Sequence, residues 1–100
     1  MNKVEKGKHT LFEILNQAAA WQETIKLVES EASKLIELFA GVDQVIFTGC
    51  GSALNVSYAF APTFQHFTGI NTRVAPAADI SFFPDTVFAG NGNTLVVPIS

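Results

Sequence analysis

The segment Val45-Ile46-Phe47-Thr48-Gly49-Cys50-Gly51-Ser52-Ala53 joins a short apolar run to two glycines, a thiol and a hydroxyl, and a helical stretch follows at once. Residues of these types at this spacing can hold an anion. Glycine lets the backbone turn tightly and approach a ligand, and the first N–H groups of a helix have no partner inside it. Those free donors and the positive end of the helix dipole stabilise a phosphate without any lysine. Ser52 adds a hydroxyl to the amides. Cys50 at the same junction is read as a small, half-buried structural thiol rather than as a nucleophile. A strand, Gly-x-Gly and helix in succession can also be no more than a tight turn with close packing. The remainder of the chain therefore has to be asked what such a loop would bind.

Composition restricts the answer. One hundred residues suffice for one small domain, and 48% hydrophobic against 15% charged residues places the chain among globular proteins. The formal charge is −3, and the lysines gather only at Lys3, Lys6 and Lys8, which speaks against a nucleic-acid or anionic-membrane surface. With six basic residues in all, a bound phosphate must rely mainly on amides and hydroxyls. The single cysteine excludes an internal disulfide, so a reducing cytoplasm is the expected location, and no Cys/His group has metal-ligand spacing. The polar stretch Met1–His9 lacks the apolar core of a signal peptide, and no apolar run approaches the ~20 residues needed to cross a bilayer.

The elements that must position the loop can be read from periodicity. Thr10-Leu11-Phe12-Glu13 has the form of a capping box and predicts a helix starting there. Trp21, Ile25, Val28, Ala32, Leu35, Ile36 and Phe39 recur in steps of three and four, predicting one long helix with a core-packing stripe, stopped by Gly41. From Val42 the period changes. Gln44–Thr48 reads as a strand, Ala53–Thr68 as a helix closed by Gly69 and kinked at Pro62, and Thr72–Ala75 as a second strand. Asp79–Phe83 reads as a short helical turn ended by Pro84, Gly90–Asn93 as a turn, and Thr94–Ile99 as a third strand, apolar almost throughout.

Other residues have plain readings. Asp79 can accept a hydrogen bond from a ligand hydroxyl or cap the next turn, and capping is preferred. His66, late in its helix, is read as a solvent-side residue, and the phenylalanines as core or subunit contacts. Gly49-x-Gly51 lacks the third glycine of a dinucleotide loop, since Leu54 stands in its place. The chain stops at Ser100, at the carboxyl end of a buried strand, so an excerpt of a longer protein is expected.

Taken together, these residues resemble the sugar isomerase (SIS) domain, and more closely the phosphosugar isomerases and deaminases similar to the isomerase half of glucosamine-6-phosphate synthase. Leu11-Phe12-Glu13-Ile14-Leu15-Asn16-Gln17 followed by Trp21 is similar to that family's opening helix, with Ala18 where proline is usual. Val45–Ser52 resembles its first phosphate loop, and Ala75-Pro76-Ala77-Ala78-Asp79 its Ala-Ser-Glu stretch. Val96-Val97-Pro98-Ile99-Ser100 resembles the strand that leads into its second phosphate loop.

The resemblance implies a three-layer α/β fold, a parallel sheet with helices on both faces of the flavodoxin-like type, preceded by a helical segment. It implies a leader over 1–9, a helical segment over 10–41 and the N-terminal part of a first SIS domain over 42–100. Gly49, Cys50, Gly51, Ser52 and Ser100 are implied to line the sugar-phosphate site, with Asp79 as a sugar contact. The family's second hydroxyl in the first loop falls on Ala53, which has none. Its glutamate, histidine and lysine acid/base groups lie in later segments, so no catalytic residue is assigned. The implied protein is a cytoplasmic homodimeric enzyme without cofactor or metal, acting on a phosphorylated sugar or aminosugar by aldose–ketose isomerisation, deamination or fructosamine-phosphate deglycation. The alternative is the sugar-phosphate-sensing SIS module of a transcription regulator, which a preceding helix-turn-helix would mark.

Overall fold

The computed structural model describes residues 5–90 and 92–100. By its contacts the chain divides into two compact units, Met1–Leu38 and Phe39–Ser100.

The first unit is helical. Its helices are α1 (Lys8–Leu15), α2 (Gln17–Ser30) and α3 (Ala32–Phe39), the last of which ends in the second unit. The capping-box expectation fails: α1 starts two residues before Thr10, with Gly7 at its N-cap at φ 81° and no side-chain cap bond. Glycine takes that left-handed geometry without strain, so the chain turns into the helix before Thr10 is reached. Of the expected leader, residues 1–4 lie outside the described residues, while Lys8 and His9 already belong to α1. The expected single long helix is two, separated at Glu31, although the Glu31 N–H to Leu27 O and Leu35 N–H to Glu31 O bonds carry the α pattern across the break.

Apart from Phe39 at its end, the apolar stripe does not form a core. None of these three helices has a buried residue, and Trp21, at 63% exposure, and Ile36, at 72%, stay open. Periodicity defines a face, but burial also needs a surface to cover it.

The second unit is built on three parallel strands in the order β2-β1-β3, with β1 at Gln44–Gly49, β2 at Asn71–Pro76 and β3 at Thr94–Pro98. Val45 through Gly49 are all buried, as expected of a central strand covered on both faces. On one face Val45 and Phe47 pack with Ala61 of α4 (Ser52–Thr68), joined by Phe39, Phe64, Val74, Leu95 and Val97. On the other, Ile46 and Ala75 pack with Ile80 of α5 (Ala77–Phe82) and Val87 of α6 (Pro84–Val87). Fully burying a side chain such as Ile46 is worth ~1.5–3 kcal/mol.

The helix α4 runs through Pro62 and ends at Gly69, whose φ of 73° lets its N–H reach back to Gln65 O at 2.8 Å. Pro84 both ends and begins structure. It forces Phe83 out of the helical region, to φ −135° and ψ 57°, which stops α5, and then occupies the first turn of α6, where its missing N–H costs nothing. Arg73 crosses from β2 to donate to the carbonyl of Val87, tying the end of α6 to the sheet edge.

At the amino end of the sheet, Asp43 and Asn93 clasp β1 to β3. The Asp43 N–H donates to Asn93 O at 2.8 Å, and the Asn93 N–H donates to Asp43 Oδ2 at 2.8 Å. The turn expected over Gly90–Asn93 includes Asn91, which lies outside the described residues.

Candidate phosphate-binding loop

At the carboxyl end of β1 the backbone leaves the sheet at Gly49 and enters α4 at Ser52. Small residues make this junction tight. A Cβ on Gly49 would stand 3.0 Å from Ala53 C, Ala53 Cβ and Leu54 N, tighter than nine in ten real Cβ contacts. Ala53, Ser57 and Ala61 recur every four residues along α4, and the last two are buried, so the helix presents a row of short side chains. Ser57 satisfies its hydroxyl within the helix, donating to Ala53 O at 2.9 Å. Gly51 has open space around it but a backbone at φ 57° and ψ −126°, a region closed to residues with a Cβ. Two glycines are therefore required for two reasons: one for closeness, the other for conformation.

The consequence is a set of free donors. In the first turn of α4, Ala53 N–H bonds to Cys50 O and Asn55 N–H to Gly51 O, each at 3.2 Å. Among the described residues, the amides of Gly51, Ser52 and Leu54 have no such acceptor. Gly51 and Ser52 are exposed, and no side-chain bond caps the helix, so amides, hydroxyl and dipole remain available to an anion. Cys50 is exposed too, a correction to its reading as a half-buried structural thiol. The free helix start holds it at the surface.

Ser100 comes to the same end of the sheet. Thr48 is paired with Pro98, and the Ile99 N–H donates to Thr48 O at 2.9 Å, so Ser100 follows β3 at the carboxyl end of the sheet, the end from which the glycine loop departs. Asp79 lies in the first turn of α5, just beyond the carboxyl end of β2, and is exposed. Its side chain makes no cap bond, because Pro76 occupies the N-cap; the capping reading is thus set aside. Thr48 was not singled out in the sequence. It is buried at the end of β1 with its Oγ1 unpartnered among the described residues.

Clefts lie elsewhere, one of about 540 Å³ along β2 and α4 and another of about 300 Å³ at the amino end of the sheet. The loop is an open surface and not the floor of either cleft. Among the described residues no group of three His, Cys, Asp or Glu could hold a metal ion, and no helix is long and apolar enough to cross a membrane.

A parallel sheet in the order 2-1-3, helices on both faces and a glycine loop at the carboxyl end of the central strand define a three-layer α/β fold. It is shared by the crystal structure of tagatose-6-phosphate ketose/aldose isomerase from Escherichia coli, with a TM-score of 0.76 and 24% sequence identity over 91% of this chain. The chain spans 26% of the length of that isomerase. No protein-family model matches the chain, and no curated protein does.

Proposed function

We propose that this chain supplies the first phosphate-binding segment of an enzyme acting on a phosphorylated sugar or aminosugar, through aldose–ketose isomerisation, deamination or deglycation of a fructosamine phosphate. The observation that carries this reading is the trio of unpaired amides at Gly51, Ser52 and Leu54, set at the carboxyl end of the central strand. In open parallel sheets that is the edge where ligands bind. The likeness of fold to an isomerase of a ketose phosphate supports the same substrate class.

In this reading the phosphate is a positioning handle. The Ser52 hydroxyl and the loop amides hold it, Ser100 approaches from β3, Cys50 lines the loop, and Asp79 stands where it can accept from a sugar hydroxyl. Binding energy from the phosphate then orients C1 and C2 of the sugar for proton transfer by an acid/base pair supplied from outside these residues. Each hydrogen bond to a charged phosphate oxygen contributes ~1.5–3 kcal/mol. After Lys34 the chain has a single cation, Arg73, and its guanidinium is directed to Val87, so the loop neutralises charge with dipoles. The protein is proposed to be cytoplasmic and to work as a homodimer.

Calorimetry on the intact protein tests the reading. Tagatose 6-phosphate, fructose 6-phosphate and glucosamine 6-phosphate are titrated beside the same sugars without phosphate. Saturable binding of at least one ester, and of none of the free sugars, is the expected result. Failure of every ester to bind would end the proposal.

A further inference from the structure

The helical unit leaves its apolar stripe open, and the spacing of that stripe is the spacing of a seam between helices. Ala18, Trp21, Ile25, Val28, Ala32 and Leu35 recur in strict alternation of three and four, a heptad repeat with Ala18, Ile25 and Ala32 at a and Trp21, Val28 and Leu35 at d. All six are exposed. The Glu31 N–H to Leu27 O and Leu35 N–H to Glu31 O bonds, both 3.0 Å, carry the helical pattern from α2 into α3, so the backbone can present the repeat along one side. Lys26, Lys34, Glu23 and Glu37 fall at the outward b, c and f positions and leave the seam free of ammonium groups.

The repeat also matches its own reverse. With a second copy laid antiparallel and Ile25 opposite the partner's Val28, Trp21 falls opposite the partner's Ala32 and Leu35 opposite the partner's Ala18. Each large side chain then meets a small one, which close packing of a seam demands. A parallel pair in register would instead set Trp21 against its own copy and leave gaps at Ala18 and Ala32.

The flanks of the seam agree with the antiparallel sense. Leu15 and Ile36, both 72% exposed, come together across it, each meeting the other's copy. Glu29 faces Gln22 and Glu31 faces Thr24, so no two carboxylates oppose one another. A two-fold interface uses the same patch on both subunits, and a face that fits its own reverse has that property. We propose that this face pairs with the same face of a second copy of the chain as an antiparallel helix pair. The proposal rests on the homodimer reading above and says where the subunits meet; the glycine loop takes no part.

Cross-linking of the intact protein tests the pairing. Leu15→Cys and Ile36→Cys are made separately, each in a Cys50→Ser background, and treated with a short bismaleimide alone and after mixing. Within one chain the two positions are 21 residues apart, ~30 Å of helix, whereas across the antiparallel seam they adjoin. A covalent dimer should form in the mixture and from neither protein alone. Ala32→Glu, at an exposed position of the single chain, sets a carboxylate against the partner's Trp21 and should raise the dimer dissociation constant at least about a hundredfold by sedimentation. The proposal is overturned if either protein cross-links alone, if the mixture does not cross-link, or if Ala32→Glu associates as tightly as the parent. In those cases a protein that still sediments as a dimer keeps the homodimer reading without this seam, and one that is monomeric at every concentration removes both.

Discussion

Ile99 donates its amide to the carbonyl of Thr48 at 2.9 Å, one residue past the end of β3 at Pro98. That bond carries the pairing with β1 one residue past the end of β3, so Ser100 follows at the carboxyl end of the sheet, where the glycine loop begins. Replacing Ser100 with alanine should leave the thermal melt unchanged and weaken binding of a sugar phosphate about tenfold, the loss of one hydrogen bond to a charged group. Calorimetry on the variant checks this. Unchanged affinity would show that Ser100 points away from the phosphate.

Gly49 and Gly51 should fail differently when each becomes alanine. At Gly51 there is room for a methyl group but not for the backbone geometry, so Gly51→Ala should cost ~1–3 kcal/mol of stability by urea unfolding. At Gly49 the new Cβ meets the backbone of Ala53 and Leu54, which cannot give without shifting the start of α4. Gly49→Ala should therefore lose sugar-phosphate binding along with stability. A Gly49→Ala protein that binds normally would detach the helix start from ligand recognition.

The contrast between these two glycines and Thr10 shows where the sequence was legible. The strands β1 to β3, the helix α4 and its stop at Gly69 could all be read, because each is a periodic run bounded by a residue with a backbone preference of its own. Thr10-x-x-Glu13 could not, since a capping box competes with every other way to start the turn, and Gly7 offered a cheaper one. The break at Glu31 has no breaker residue to announce it. Pro84 was readable as a stop, through its ring's clash with Phe83, but not as the first residue of α6, where its fixed φ and missing N–H are tolerated. For the stripe through Trp21 and Ile25, spacing told which residues share a face and not that the chain itself leaves that face uncovered. Within the site, glycines and Ser52 carry a local signal, whereas the approach of Ser100, the unpartnered Thr48 hydroxyl and the cleft between α4 and β2 depend on strand order. Order is a tertiary choice that no local pattern encodes.

The bond from Thr72 N–H to Gln65 Oε1 at 2.9 Å occupies an amide on the open edge of β2. Exposed edge amides template pairing with other chains, and natural sheets blunt them. Replacing Gln65 with alanine should cost ~1 kcal/mol and raise self-association, seen as a concentration-dependent increase in sedimentation coefficient. A variant that sediments as the parent does at every concentration would show that the edge is protected by other means.

Ala53 offers the most direct gain of function. It sits one residue after Ser52, in the first turn of α4, with its amide already bonded to Cys50 O, so its side chain is the one group there that could still add a donor to the loop. The SIS pattern has a hydroxyl at this position, and serine is a small step from alanine in volume. Because Ala53 is only partly buried, the hydroxyl can be solvated when no ligand is present, and the substitution should change stability by less than ~0.5 kcal/mol. If the loop holds the phosphate through the free amides of Gly51, Ser52 and Leu54, a hydroxyl added at Ala53→Ser should tighten sugar-phosphate binding about five- to tenfold, with no change for the unphosphorylated sugar. The comparison is made by calorimetry on parent and variant in the same buffer. An affinity that stays the same, or rises equally for the free sugar, would place the phosphate somewhere other than the start of α4.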